Sequence, residues 1–179
     1  MVVAMKLEQA LALIREVPDF PVPGIRFQDI TPLLSNGAAF SAVTKSLACI
    51  DVEATLIAGI EARGFILASA LANERSAGFI PIRKGGKLPH STLAQSYGLE
   101  YGVDTLEMHV DAIAAQSRVL LIDDVLATGG TIDAAVSLIE RGGGIVSHVA
   151  VLLEIVELKG RAKLLQSHPD LTVTSLLAI

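Results

Sequence analysis

Apolar and polar positions change rhythm several times along this chain, and each rhythm predicts an element. Leu7, Ala10, Leu11 and Ile14 recur at helical spacing over Lys6–Glu16, and Pro18 stops them. Residues 18–29 hold three prolines and a glycine, which excludes regular structure there. The same stretch carries Phe20, Ile25 and Phe27, so it packs under something or lines a pocket. A second helical pattern covers Ala38–Cys49. Strand and helix then alternate: a strand over Ala54–Ile60, a helix over Gly64–Asn73 and a strand over Gly78–Arg83. Residues 84–98 are rich in Gly, Lys and Ser and read as a mobile loop, followed by an exposed alternating strand over Thr105–Val110. Arg118–Asp123 is a strand and Thr131–Arg141 a helix, which Gly142, Gly143 and Gly144 end with a left-handed cap and turn. A strand over Ile145–Ile155, a short helix over Lys159–Ser167 and a strand over Thr172–Leu177 complete the series.

Strands alternating with helices imply βαβ units and a parallel sheet covered on both faces, an α/β fold. No repeat, low-complexity segment or linker interrupts the series, so residues 1–179 read as one domain. Hydrophobic residues make up 51% and charged residues 18%, which points to a well-packed, oligomeric domain rather than disorder. A net charge of −5 excludes a general nucleic-acid footprint, so no nucleic-acid partner is expected. Cys49 is the single cysteine; its apolar helical setting predicts a buried, inert thiol. No apolar run reaches the roughly 18 residues of a membrane span, and no signal peptide opens the chain, so no membrane partner and a cytoplasmic location are expected. Met5 is an alternative start to Met1.

Residues 119–131, Val-Leu-Leu-Ile-Asp-Asp-Val-Leu-Ala-Thr-Gly-Gly-Thr, carry the chemistry. Ligands of open α/β sheets bind beyond the carboxyl ends of the strands, where this string ends. Glycines let the backbone approach a ligand, and free N–H groups with the helix dipole suit a phosphate. Ala127, Thr128, Gly129, Gly130 and Thr131 therefore form a candidate cradle, with Thr131 also a candidate helix cap. Asp123 and Asp124 repel one another, and ribose hydroxyls are suitable donors to neutralise them. The string lacks Gly-Lys-Ser/Thr and Gly-x-Gly-x-x-Gly, which lowers the weight of nucleotide-triphosphatase and dinucleotide readings.

This string resembles the phosphoribosyl-pyrophosphate (PRPP) motif of type I phosphoribosyltransferases. Over roughly residues 18–165 the chain is similar to the adenine phosphoribosyltransferase family. The matching stretches are Phe20-Pro21-Val22-Pro23-Gly24 with Phe27 and Asp29-Ile30-Thr31-Pro32, Ala58-Gly59-Ile60-Glu61-Ala62-Arg63-Gly64-Phe65, and Ile82-Arg83-Lys84 with Gly86-Lys87-Leu88-Pro89. Ser96-Tyr97 with Leu99-Glu100-Tyr101-Gly102, and Glu154 with Leu158-Lys159-Gly160-Arg161, follow in order. The resemblance implies a type I phosphoribosyltransferase fold: a central parallel sheet flanked by helices, with a small hood over the active site, here about 18–35 and 84–110. It implies that adenine and PRPP give AMP and pyrophosphate. It also implies a homodimer, and Mg²⁺ bound through PRPP and pyrophosphate with no dedicated protein metal site.

The resemblance assigns pyrophosphate to Arg63, Arg83, Lys84 and Lys87, with Arg83 able to reach a neighbouring subunit's site. It makes Glu100 a proton donor or stabiliser near adenine N7 and Tyr101 part of the lid. It places adenine at residues 25–28, read largely by backbone, with Phe27 stacking on the base. Arg26 and Gln28 depart from the family pattern. His90, His109, His148 and His168 have no ligand spacing and read as surface or loop residues. Two alternatives stand beside adenine transfer: another purine base (hypoxanthine, guanine or xanthine), and a PRPP- or purine-sensing regulator.

Overall fold

The computed structural model describes residues 5–98 and 103–179. The chain packs as two compact units that meet in sequence between Cys49 and Ile50.

In the first unit, α1 (Leu7–Leu11) is followed by β1 (Arg15–Pro18), which pairs antiparallel with β2 (Arg26–Asp29). The expected helix over Lys6–Glu16 is thus one short turn. Its last residues are drawn into a sheet because Arg15 finds a partner in Asp29, and Val17 in Phe27. β2 likewise corrects the expectation that residues 18–29 are wholly irregular: the prolines confine themselves to the connection and the end of β1. The Phe20–Pro21 bond is cis, and Gly24 adopts φ +90°. The Gly24 N–H donates to Asp19 Oδ1 at 2.7 Å across this turn. Asp29 Oδ1 then accepts from the Thr31 N–H at 2.9 Å, opening α2 (Thr31–Leu34). Asn36 caps α3 (Gly37–Ala48), its Oδ1 accepting from the Ala38 and Ala39 N–H groups. Cys49, just after α3, is exposed rather than buried: the apolar stripe of α3 ends at Leu47.

The second unit is a seven-stranded sheet. Its members are β3 (Leu56–Ile60), β4 (Gly78–Lys84), β5 (Thr92–Gly98), β6 (Val103–His109), β7 (Arg118–Leu126), β8 (Ile145–Glu154) and β9 (Thr172–Ala178), in the order β5-β6-β4-β3-β7-β8-β9. β4, β3, β7, β8 and β9 run parallel, whereas β6 pairs antiparallel with β4 and with β5. The sheet is mixed, mostly parallel, rather than wholly parallel. β5 replaces most of the expected loop over 84–98: its Ser, Gln and Gly are poor strand formers, but every residue has a partner on β6. β6, held between β5 and β4 rather than exposed, buries Leu106 and Met108.

Burial explains why β7 and β8 sit centrally. Val119 to Ile122 and Val149 to Leu153 are fully buried aliphatics, and each Val, Leu or Ile among them is worth about 1.5–3 kcal/mol on removal from water. Two helices cover the sheet. α4 (Arg63–Arg75) packs on β3 and β7, with Gly59 making room: a Cβ there would stand 2.6 Å from that of Ala68. α5 (Gly130–Arg141) buries Ile132, Ala135, Val136 and Ile139, one stripe at helical spacing, in the core that Ala58, Ile60, Leu121 and Val151 share. Gly143 takes φ +87° after α5, as its glycine run predicts. A 3₁₀ turn (Val156–Leu158) leads into α6 (Gly160–Ser167). At the amino end of β7, Arg118 Nη2 pairs with Asp51 Oδ1 at 3.1 Å.

Candidate active site

The carboxyl end of β7 brings Asp123 and Asp124 to the start of the turn into α5. Both are nearly fully buried, at 8% and 6% relative exposure. The Asp124 N–H donates to Asp123 Oδ1 at 2.9 Å. Pairing of β3 with β7 sets the start of α4 beside them, so Arg63 Nε stands 2.8 Å from Asp124 Oδ2. That oxygen is buried with no hydrogen-bond donor directed at it among the described residues, so the attraction to Arg63 is one of charge. Gly64 permits the approach: a Cβ there would lie 2.8 Å from Asp123 Oδ1 and 3.0 Å from the Ile122 carbonyl. Burial first, and the neighbouring Asp124 charge second, push the Asp123 carboxyl well above the usual range. Burial also raises Asp124, against the pull of Arg63. The pair favours any ligand that brings hydroxyl donors or positive charge.

Directly beyond lies a pocket of about 70 Å³, lined by Asp123, Val125, Ala127, Thr128, Gly129, Thr131 and Ile132. On the same measure a single water needs about 10–15 Å³, so the pocket takes a group of several heavy atoms. Gly129 adopts φ +84°, and α5 begins at Gly130. Thr131 does not cap α5: the cap position is Gly129, and Thr131 lies one residue inside the first turn and lines the pocket. The cradle is thus made of backbone at a helix start, with Asp123 on its lining and Asp124 next to it, against Arg63.

The four expected cations fall into three settings. Arg63 stands with the acids. Arg83 and Lys87 converge on one carboxylate, Glu61, immediately after β3. Glu61 Oε2 accepts from Arg83 Nε at 3.2 Å and from the Lys84 N–H at 3.0 Å, and Oε1 accepts from Lys87 Nζ at 2.7 Å. Arg83 Nη1 also closes on the Lys87 carbonyl at 3.0 Å. Glu61 is held at about 2, the bonds from Lys87 and Arg83 outweighing a burial effect that acts upward. The Glu61–Ala62 peptide is cis. The Lys84 side chain turns instead to Asp104, and donates to the Tyr97 hydroxyl at 3.2 Å. Asp104 raises Lys84, and Lys84 lowers Asp104.

Arg26, Phe27 and Gln28 all lie on β2, in the first unit. Phe27 meets Phe20 edge-on, with centroids 5.1 Å apart. Gln28 Nε2 donates to Glu16 Oε2 at 3.4 Å, and the Arg26 side chain is exposed. Glu100 and Tyr101 lie outside the described residues. Two histidines depart from the expected surface or loop setting: His109 is on β6 and His148 on β8, where Nε2 meets Thr174 Oγ1 at 2.8 Å. Parallel pairing of β8 with β9 puts that threonine within reach.

A model of the phosphoribosyl transferase domain family matches residues 30–177. An adenine phosphoribosyltransferase from Thermobifida fusca is 56% identical over 153 residues, covering 84% of this chain and 87% of that one. The chain belongs to the adenine phosphoribosyltransferase family. A crystal structure of the adenine phosphoribosyltransferase from Rhodothermus marinus is 49% identical with a TM-score of 0.89, covering 97% of this chain and 98% of that one. The family member from Giardia lamblia, complexed with 9-deazaadenine, is 41% identical with a TM-score of 0.91, covering 98% and 99%. The fold is that of the type I phosphoribosyltransferases, a mostly parallel sheet flanked by helices, with a separate small antiparallel sheet.

Two features of this family member escape sequence reasoning. Glu61 sits inside a quoted motif, but its partners are 22 or more residues away, so no local pattern pairs them. Gly160 backs the cradle: its added Cβ would lie 2.1 Å from the Ala127 carbonyl oxygen. The left-handed turn at Lys159 (φ 54°) before α6 is the only local trace of that contact.

Proposed function

We propose that this chain transfers the 5-phosphoribosyl group of PRPP to adenine, giving AMP and pyrophosphate. The observation that carries the reading is the buried Asp123–Asp124 pair: Asp124 is joined to Arg63, and Asp123 lines a small pocket at a helix start. In this reading the backbone and hydroxyls of residues 127–131 hold the 5′-phosphate. The two carboxylates accept from the ribose hydroxyls, and their charge favours the cationic ribose that forms as pyrophosphate leaves. Arg63, Arg83, Lys84 and Lys87 take the pyrophosphate. Adenine N9 attacks C1 of the ribose without a covalent enzyme intermediate, so positioning and electrostatics supply the acceleration. Glu100 is assigned to proton management on the base, Tyr101 to the lid, and Arg26, Phe27 and Gln28 to the adenine pocket.

Mg²⁺ fits as a companion of the substrate. The raised carboxyls of Asp123 and Asp124 suit a nearby cation, and the ion supplies charge neutralisation to the phosphates when bound. A single phosphoribosyltransferase domain and a homodimer belong to the same reading. The family match runs across the boundary of the two units, and the 51% hydrophobic composition supports association. Among the described residues no helix is long and apolar enough to cross a membrane. The phosphate esters used and made do not pass membranes, which supports a cytoplasmic setting. The Giardia relative's complex with 9-deazaadenine supports adenine over other purines. Pyrophosphate release from PRPP with a panel of bases tests the reading. Adenine is expected to give the highest kcat/KM; a higher value for hypoxanthine or guanine overturns the base assignment. No turnover with any base, despite tight PRPP binding, points to a regulator.

A further inference from the structure

Glu154 and Arg161 take no part in the chemistry above, yet they form a multiply bonded ion pair in which Glu154 is buried and Arg161 half-buried. Glu154 ends β8, next to the end of β7; Arg161 lies in the first turn of α6. Arg161 Nε donates to Glu154 Oε1 and Oε2 at 3.0 and 3.1 Å, and Nη2 pairs with Oε2. The same guanidinium donates to the Val173 carbonyl at 2.6 Å and to Ser175 Oγ at 2.8 Å, both on β9. Ser175 Oγ in turn donates to Glu154 Oε2 at 2.6 Å. One fork therefore fastens α6 to two strands.

Next to that fork is Gly160, which meets the cradle backbone to backbone. A Cβ on Gly160 would lie 2.1 Å from the Ala127 carbonyl oxygen and 2.9 Å from the Gly129 nitrogen. A Cβ on Gly129 would lie 2.8 Å from the Gly160 carbonyl oxygen. A loop containing Gly129 and Gly130 has much backbone freedom, and a ligand that must first order it binds less tightly. The wall formed by Gly160 removes that freedom in advance, provided the wall itself is fixed. α6 has only eight residues and buries just Gly160 and Leu164, so its own stability is small. The Arg161 fork is what holds its start in place.

We propose that Glu154 and Arg161 are positioning residues for the phosphate cradle, holding Gly160 against the Ala127–Gly129 turn so that the turn is ordered before the 5′-phosphate arrives. This rests on the phosphate reading of the cradle. Steady-state kinetics on the full chain, varying PRPP and adenine separately, tests it. Arg161→Met is expected to raise KM for PRPP about tenfold, with kcat and KM for adenine changed less than about twofold. Arg161→Lys restores part of the loss, because it keeps the charge but not the fork. Gly160→Ala gives the same signature with the ion pair intact. Should Arg161→Met fail to fold, the milder Ser175→Ala supplies the measurement. Arg118→Met, which breaks the Arg118–Asp51 pair at the far end of β7, lowers the melting temperature and leaves KM for PRPP unchanged. Unchanged KM for PRPP in a folded Arg161→Met, or in Ser175→Ala where that variant stands in for it, overturns the proposal, as does the same signature in Arg118→Met. A wild-type chain that does not consume PRPP instead removes the functional reading on which it rests.

Discussion

The cradle and the cationic group lie in the same unit but are built in opposite ways. The cradle is backbone: a left-handed Gly129, the start of α5 and the Gly160 wall, anchored by strands whose side chains are fully buried. Its shape does not depend on rotamers. The cationic group is side chain on side chain: Arg83 and Lys87 rest on Glu61, and Lys84 rests on Asp104. These charges are already neutralised, so any anion they take up must displace a carboxylate. One half of the site is a mould; the other is a set of exchangeable partners.

Three substitutions strain that contrast, in order of expected effect. Asp124→Asn, beside the mould, is expected to lower kcat/KM on the order of 100-fold, about 2.7 kcal/mol of transition-state stabilisation. It also separates function from stability. Asp123 and Asp124 have raised carboxyls, so their contribution to folding is fullest below the ordinary carboxylate range and is lost as pH rises through the raised values. At pH 7 the Asn variant therefore melts at or above the wild-type temperature, and the gap closes in acid. An inactive variant that also melts early would return these acids to a structural role.

Gly129→Val attacks the mould itself. It forces φ +84° on a β-branched residue and drives Cβ into the Gly160 carbonyl. KM for PRPP should rise on the order of tenfold or more, with about 1–3 kcal/mol of stability lost. A normal KM by initial-rate measurement means that the phosphate sits elsewhere. Glu61→Gln tests the exchangeable half. Inhibition by pyrophosphate should tighten about two- to fivefold, because no carboxylate then competes for Arg83 and Lys87. Glu61 is held at about 2, so the stability it contributes is present above the ordinary value of 4.5 and is lost as pH falls towards 2. The variant should melt about 2–6 °C lower at pH 7, and equally with wild type below pH 2. Weaker pyrophosphate inhibition would mean that Glu61 shapes the loop rather than occupying its cations.

The same contrast governs what the sequence reveals. The mould is legible because its parts are contiguous: aliphatics, two acids, small residues and a helix start all fall between Val119 and Thr131. The end of β7 runs three residues past expectation, through Val125 and Leu126, because pairing with β8 continues to Glu154. The exchangeable half is legible only as a run of cations. That Arg83 and Lys87 rest on Glu61 is a product of β3 lying beside β4, which no spacing encodes. β5 was hidden for a related reason: its residues favour a loop, and only the β6 ladder makes them a strand. Cys49 misleads in the other direction, since the buried stripe of α3 ends two residues before it, at Leu47.

The central position of β7 also orders events during synthesis. Leu56 of β3 pairs with Gly78 on one side and Val119 on the other, so β3 waits roughly sixty residues for its second neighbour. β7 itself is enclosed only when β8 is complete, and the turn after it gains its wall only once Gly160 has left the ribosome. A nascent chain halted before that point carries two carboxylates without the surroundings that make them useful. Ligand capture on stalled ribosomes should therefore appear late and abruptly, as the last turns of the chain emerge.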